Sequence, residues 1–299
     1  MTNTRRIGLI GLGEVGQVLA NDLHGLGGVK LGAWDRLFAL EGSGPWRAAR
    51  ALPFLEAASS MADAVDERCV LICAVTADEC GAAAAEAARS LTPGTLYLDL
   101  NSVSPRTRAE AAAAIEAAGG RYVEAAVMSP IAPKRLASPL WLGGAHARES
   151  LPLLQSLGFT NAAVYSDSIG AASAAKMCRS VIVKGMEALL AESLLTARRH
   201  GVEEAVLASL HDLFPGADWR QLARYMIARS LQHGRRRAAE MREAVRTVAE
   251  AGLEPWMSRG CVERQQWAAA HAAALSHEAL TDMLDAMLAH TPAAAPQQA

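Results

Sequence analysis

The chain has 299 residues, 51% of them apolar, with 29 Lys and Arg against 31 Asp and Glu. A net charge of −2 gives no global positive field to hold nucleic acid or an acidic membrane, and the length allows two domains with their own cores. The ligand expected of such a chain is a small molecule, preferably anionic, and neither a nucleic-acid nor a membrane partner is expected.

The amino-terminal stretch "MTNTRRIGLI" passes directly into strand character, without the apolar run of a signal peptide, and no later run reaches membrane-spanning length. The five cysteines, Cys69, Cys73, Cys80, Cys178 and Cys261, contain no C-x-x-C pair. Their odd number and apolar surroundings read as reduced thiols, and the expected location is the cytoplasm.

The first informative segment is "RIGLIGLGEVGQVLANDL", residues 6–23. Gly11, Gly13 and Gly16 follow a short apolar strand and open a helix with apolar positions at Val15, Val18, Leu19 and Leu23. In that context one glycine serves a tight turn, one the close approach of a pyrophosphate, and one the packing of helix on strand. The helix amino terminus adds partial positive charge, so Leu12, Glu14 and Val15 between the glycines belong to the same expected contact. A second strand, "VKLGAW", ends at Asp35, where a carboxylate can accept from a ribose hydroxyl and repel a 2′-phosphate. Arg36 beside it could neutralise that phosphate, so the cofactor is NAD or NADP, with NAD slightly favoured.

Further strands are expected at "CVLICAV", "TLYLDL", "RYVEAAV", "PLWLGG" and "AAVYS", separated by alanine-rich helices. Ser60 with Asp63 three residues on, and Ser104 followed by Pro105, mark helix starts. Continuous apolar strands alternating with helices predict an α/β, doubly wound Rossmann-type parallel sheet over residues 1–167. From 168 to 290 the pattern is all-α, with breaks expected at "HGVEE", "FPGADW", "QHGRRR" and "GLEPW", and residues 291–299 read as a frayed tail.

The helical half should begin with a long helix, residues 168–200. Ser173, Lys176, Ser180, Lys184 and Glu187 are spaced 3, 4, 4 and 3 along it, which draws one narrow polar line on a mainly apolar helix. Such a line faces either solvent or a shared cleft. The histidines lack metal-ligand spacing, so no metal is expected. In "HGRRRAAEM", residues 233–241, Arg236 and Glu240 read as an ordinary i,i+4 pair on a solvated face.

Taken in order, "GLGEVGQVLANDL", "DLNSVSP" (99–105), "VEAAVMSP" (123–130), "WLGG" (141–144) and "GAASAAK" (170–176) resemble the β-hydroxyacid dehydrogenases, the group of 3-hydroxyisobutyrate and 6-phosphogluconate dehydrogenases. The chain is most similar to a phosphogluconate-dehydrogenase-like branch with its own helical carboxyl-terminal domain. The resemblance implies that Gly11, Gly13 and Gly16 form the pyrophosphate loop. It places Val75 and Thr76 in the loop after the fourth strand, and Asn101 and Ser102 near the nicotinamide. Ser129 matches the serine of a substrate-binding Ser-Gly-Gly, and Lys176 the catalytic lysine. The family's helical half also implies a homodimer.

Three features depart from the family pattern. Ser-Gly-Gly reads "SPI", so Pro130 and Ile131 stiffen the substrate loop. The asparagine expected one turn after the lysine is Ser180, with Arg179 beside it, and the later Lys-Asp pair is absent. The mechanism implied is hydride transfer between a nicotinamide and a small 3-hydroxy acid or related polar alcohol. Lys176 serves as acid and base, and Ser129, Ser180 and Lys134 or Arg135 are candidate anchors beside Pro130 and Arg179. The altered loop keeps two alternatives open, an imine reductase and a dinucleotide-binding protein without turnover.

Overall fold

The computed structural model describes residues 5–213 and 215–289; the segment read above as a frayed tail, 291–299, lies outside them. The chain divides into two compact units between Met177 and Cys178.

The first unit is built on one eight-stranded sheet. Its elements are β1 (Arg5–Ile10), α1 (Glu14–Gly25), β2 (Val29–Trp34), α2 (Gly44–Ala51), β3 (Leu55–Ala57), α3 (Met61–Val65), β4 (Val70–Cys73) and α4 (Cys80–Ala88). They are followed by β5 (Leu96–Asp99), α5 (Pro105–Ala117), β6 (Arg121–Val127), α6 (Ile131–Lys134), β7 (Leu140–Gly143), α7 (Ala147–Ser156), β8 (Ala162–Ser166) and the start of α8 (Ala171–His200). The strand order is β3-β2-β1-β4-β5-β6-β7-β8. All seven expected strands are present, and the doubly wound order reverses at β1/β4, where such sheets open a crevice. Ser60 and Ser104 cap α3 and α5 as expected, accepting from the N–H groups of Asp63 and Thr107.

Two features of the sheet were not expected. β3 is a three-residue edge strand carrying the exposed Glu56, too short and polar to show a period. The β6 and β7 pair is antiparallel, with Glu124 opposite Gly143, so the last two strands run against the rest. The link between them holds only a four-residue helix and a turn, and it returns the chain without a full crossover. Ile7, Leu9, Leu19, Leu23, Ile72 and Leu98 centre the core, which α1 covers with its buried stripe.

The second unit is helical: the rest of α8, then α9 (Glu203–Leu213), α10 (Trp219–Glu250), α11 (Trp256–Ala269) and α12 (Leu280–Ala289). Breaks occur at three of the four expected places. The fourth, "QHGRRR", is continuous helix, because Gly234 is there for packing: a Cβ on it would stand 2.4 Å from the Gln265 carbonyl oxygen of α11. The basic run on the same helix is split: Arg235 and Arg236 are exposed, and Arg237 points inward. Arg237 is buried and pairs with Glu187, and Glu240 meets both Arg236 at 3.1 Å and Lys184 at 2.7 Å. Burial pushes the Glu187 carboxyl above its usual range, while Arg237 and Lys184 pull it back.

Candidate cofactor and active site

The carboxyl ends of β1, β2, β4, β5 and β6 carry most of the residues singled out from the sequence. The three glycines of the first turn have three different reasons to be glycine. Gly11 has φ +94°, and a Cβ there would lie 2.6 Å from the Ala74 carbonyl oxygen. On Gly16 a Cβ would lie 2.1 Å from the Gly11 carbonyl oxygen, so the helix could not close on its own turn. Gly13, by contrast, has an ordinary φ of −76°, and a Cβ on it would meet nothing within 4 Å.

Neither backbone nor packing therefore explains Gly13. It immediately precedes α1 and supplies no capping side chain to the first-turn N–H groups, so a phosphate can approach them directly. Substituting Gly13 with valine is expected to leave the melting temperature unchanged while weakening NAD binding by at least about tenfold, measured by calorimetry. Gly16→Ala should instead lower the melting temperature. Equal affinity in Gly13→Val would remove the phosphate from this turn.

Asp35 follows β2 and braces the loop: its Oδ2 accepts from the Leu12 N–H at 2.8 Å and its Oδ1 from Leu37 N–H at 2.9 Å. Each carboxylate oxygen keeps capacity for a second donor such as a ribose hydroxyl. Arg36 is exposed and forms an ion pair with Glu79, Nη1 to Oε1, at 2.8 Å. Val75 is half-buried and Thr76 exposed after β4; Glu14 is exposed and Val15 half-buried at the start of α1.

Asn101, after β5, is buried, and its amide donates to Cys73 Sγ at 3.3 Å. Its Oδ1 is buried with no hydrogen-bond partner in the described structure. A buried acceptor in that condition fits a donor brought by a ligand, such as a ribose hydroxyl or a carboxamide. Ser102 beside it is half-buried. Ser129, after β6, is half-buried and donates to the Pro130 carbonyl oxygen at 3.2 Å, with Pro130 exposed at the head of α6. Arg135, one of two anchors considered, is committed elsewhere: its Nε donates to Asp22 Oδ1 of α1 at 2.7 Å.

Lys176 stands half-buried on the second turn of α8, in the same unit as the glycine turn. Three residues earlier, Ser173 is held from two sides. Its Oγ accepts from Arg108 Nε at 2.9 Å, and its N–H, with that of Gly170 at 2.6 Å, donates to the Glu124 carboxylate of β6. Arg108 also donates to the carbonyl oxygen of Asn101 and, at 2.8 Å, to that of Asp99. Ser173 and Lys176 share a helix face, so the lysine's turn is seated beside the loop that follows β5. Arg179 and Ser180 fall in the second unit. Arg179 is exposed, while Ser180 is buried and accepts from Lys184 Nζ at 3.0 Å.

Beneath Asn101 lies a buried polar cluster that composition did not announce. Asp99 pairs with Arg108 at 2.7 Å, accepts from Tyr122 Oη at 2.6 Å and lies 3.4 Å from Cys80 Sγ. Burial, then the Asp99 charge, pushes the Cys73 thiol up to about 12 and raises Cys80 further, so both stay protonated and are poor nucleophiles. Burial opposes the Arg108 charge, but Asp99 together with Tyr122, Cys80 and Glu124 outweighs it and holds the guanidinium well above its usual range. A hint existed: Asp99 in "TLYLDL" and Glu124 in "RYVEAAV" are charges inside apolar strands, which require buried partners. No group of three or more metal-ligating side chains occurs among the described residues, and no helix there is long and apolar enough to cross a membrane.

The sheet order and this turn define a dinucleotide-binding protein of the Rossmann type, and comparison with known proteins narrows the class. The model of the NAD binding domain of 6-phosphogluconate dehydrogenase matches residues 6–157, and that of a domain of unknown function, DUF1932, matches 197–268. A conserved hypothetical protein from Sinorhizobium meliloti is 36% identical over 95% of this chain and 96% of its own, with a TM-score of 0.71. Conserved protein MTH1747, described as structurally similar to 3-hydroxyacid dehydrogenases, is 33% identical over 88% of this chain and 96% of its own, TM-score 0.66. At 18% identity, 3-hydroxyisobutyrate dehydrogenase of Mycobacterium tuberculosis (96% and 99% covered, TM-score 0.66) and an imine reductase of Streptomyces aurantiacus (95% and 99%, TM-score 0.56) share the fold. A 28.5 kDa protein of Methanothermus fervidus is 28% identical over 54% of this chain, which spans 61% of that relative's length. The chain belongs to the β-hydroxyacid dehydrogenase superfamily, whose members are NAD(P)-dependent oxidoreductases.

Proposed function

We propose that this protein is an NAD(P)-dependent dehydrogenase, with NAD slightly favoured, that interconverts a small 3-hydroxy acid or related polar alcohol and its carbonyl form. Lys176 exchanges the proton at the reacting oxygen. The observation that carries this reading is the seat of Lys176, one turn beyond a serine that Arg108 ties to the loop of Asn101. A nicotinamide, held by the glycine turn, Asp35 and Asn101, would supply the acceptor or donor of the hydride. In the oxidative direction the Lys176 amine accepts the hydroxyl proton as the carbon–oxygen double bond forms, and in reduction its ammonium returns that proton. The Ser129 hydroxyl is placed to donate to the acid's carboxylate once it turns from the Pro130 carbonyl. Asp35 and Asn101 orient the nucleotide through its ribose and carboxamide ends.

A panel of 3-hydroxy acids, 2-hydroxy acids and cyclic imines, assayed with both cofactors in both directions, tests the assignment. Turnover of a 3-hydroxy acid with oxidation favoured as pH rises is the expected result. Turnover of imines alone would move the chain to reductive amine chemistry, and cofactor binding without turnover would make it a non-catalytic binder. We further propose that the protein is a homodimer. Ile182 and Leu189, seven residues apart on one face of α8, and Trp256 and Met257 of α11 are exposed apolar side chains of the second unit. Light scattering at micromolar concentration should return twice the chain mass.

A further inference from the structure

We propose that Glu79 is a specificity-determining residue: by pairing with Arg36 it cancels a cation that would welcome a ribose 2′-phosphate, and so turns the site toward NAD. The proposal rests on the reading of the glycine turn as a nucleotide site.

In sequence, an arginine directly after the acidic end of β2 is ambiguous, since Asp35 opposes a 2′-phosphate and Arg36 attracts it. The fold resolves the ambiguity with a residue from another loop. Glu79 ends the short turn Ala77–Glu79 that follows β4, and its Oε1 lies 2.8 Å from Arg36 Nη1. β2 and β4 flank β1 in the sheet, so the pair bridges the two loops on either side of the glycine turn. Asp35 is fixed in the same place by Leu12 and Leu37 N–H groups.

The local charge count is then two carboxylates against one guanidinium. A 2′-phosphate adds nearly two negative charges. It must pull Arg36 away from Glu79 and lie beside the carboxylate it displaced, or remain unpaired next to Asp35. A 2′-hydroxyl meets neither cost and can donate to Asp35. The Arg36 side chain is 62% and that of Glu79 30% exposed, so the pair adds little to stability and can be altered without disturbing the fold.

The test is calorimetric titration of the purified full chain with NAD and NADP, repeated with 5′-ADP and 2′,5′-ADP. The wild type should bind NAD more tightly. Glu79→Gln should raise NADP affinity about tenfold relative to NAD, with the same change between the two ADP fragments and an unchanged melting temperature. In an Arg36→Ala background the Glu79→Gln substitution should change the ratio much less, because the cation it released is gone and only the direct repulsion by Glu79 is relieved. An unchanged NADP to NAD ratio in Glu79→Gln, with both cofactors still binding, overturns the role of Glu79. A gain of the same size without Arg36 also overturns it. If no dinucleotide binds the wild type at all, the nucleotide reading of the glycine turn falls, and the role of Glu79 with it.

Discussion

Lys176→Ala is expected to lower kcat for a confirmed hydroxy acid by about 10²–10⁴-fold while leaving NAD affinity near the wild-type value. The asymmetry follows from the two roles. In the proposed mechanism the glycine turn, Asp35 and Asn101 hold the nucleotide, whereas the lysine is invoked only for the proton at the substrate oxygen. In the wild type, kcat/KM for oxidation should rise with pH and kcat/KM for reduction should fall, because the proposed mechanism uses a free amine in one direction and an ammonium in the other. Both limbs should flatten in Lys176→Ala. A variant with near-native turnover would remove the amine from the chemistry, and loss of NAD binding in step with turnover would make the residue structural.

The second large effect concerns stability. Arg108→Met should destabilise the first unit by about 3–5 kcal/mol, because it strands the fully buried Asp99 carboxylate without its partner. At this size that corresponds to a fall in melting temperature of roughly 6–20 °C. Removing both charges in Asp99→Leu with Arg108→Met should cost less than the single change, since no charge is then left unpaired. Arg108 also bonds Ser173 and the Asn101 carbonyl. Activity of any surviving Arg108→Met should therefore drop beyond what its folded fraction explains. A melting temperature within a degree of wild type would contradict the burial of this pair.

Much of this fold can be read in the chain itself, and the exceptions have physical causes. Strands such as "VLIC" and "LYLD" are buried on both faces, so they appear as unbroken apolar runs; β3, three residues on an edge, has no such constraint. Gly234 looks like a helix break because its reason, the backbone of α11, is distant in sequence. The glycine turn was legible because its spacing, between an apolar strand and a helix, is a short-range pattern. The polar line on α8 was legible only as a line: Ser173 goes to Arg108, while Lys184 and Glu187 go to α10. Glu79 could not have been chosen from sequence, because what gives it meaning is the adjacency of β2, β1 and β4.

Glu124 sits in the middle of a strand, yet its two oxygens secure the first turn of α8. The anchorage of the proposed proton carrier is thus written into the nucleotide-holding half of the gene. The seat of that amine is therefore built from residues of the first unit.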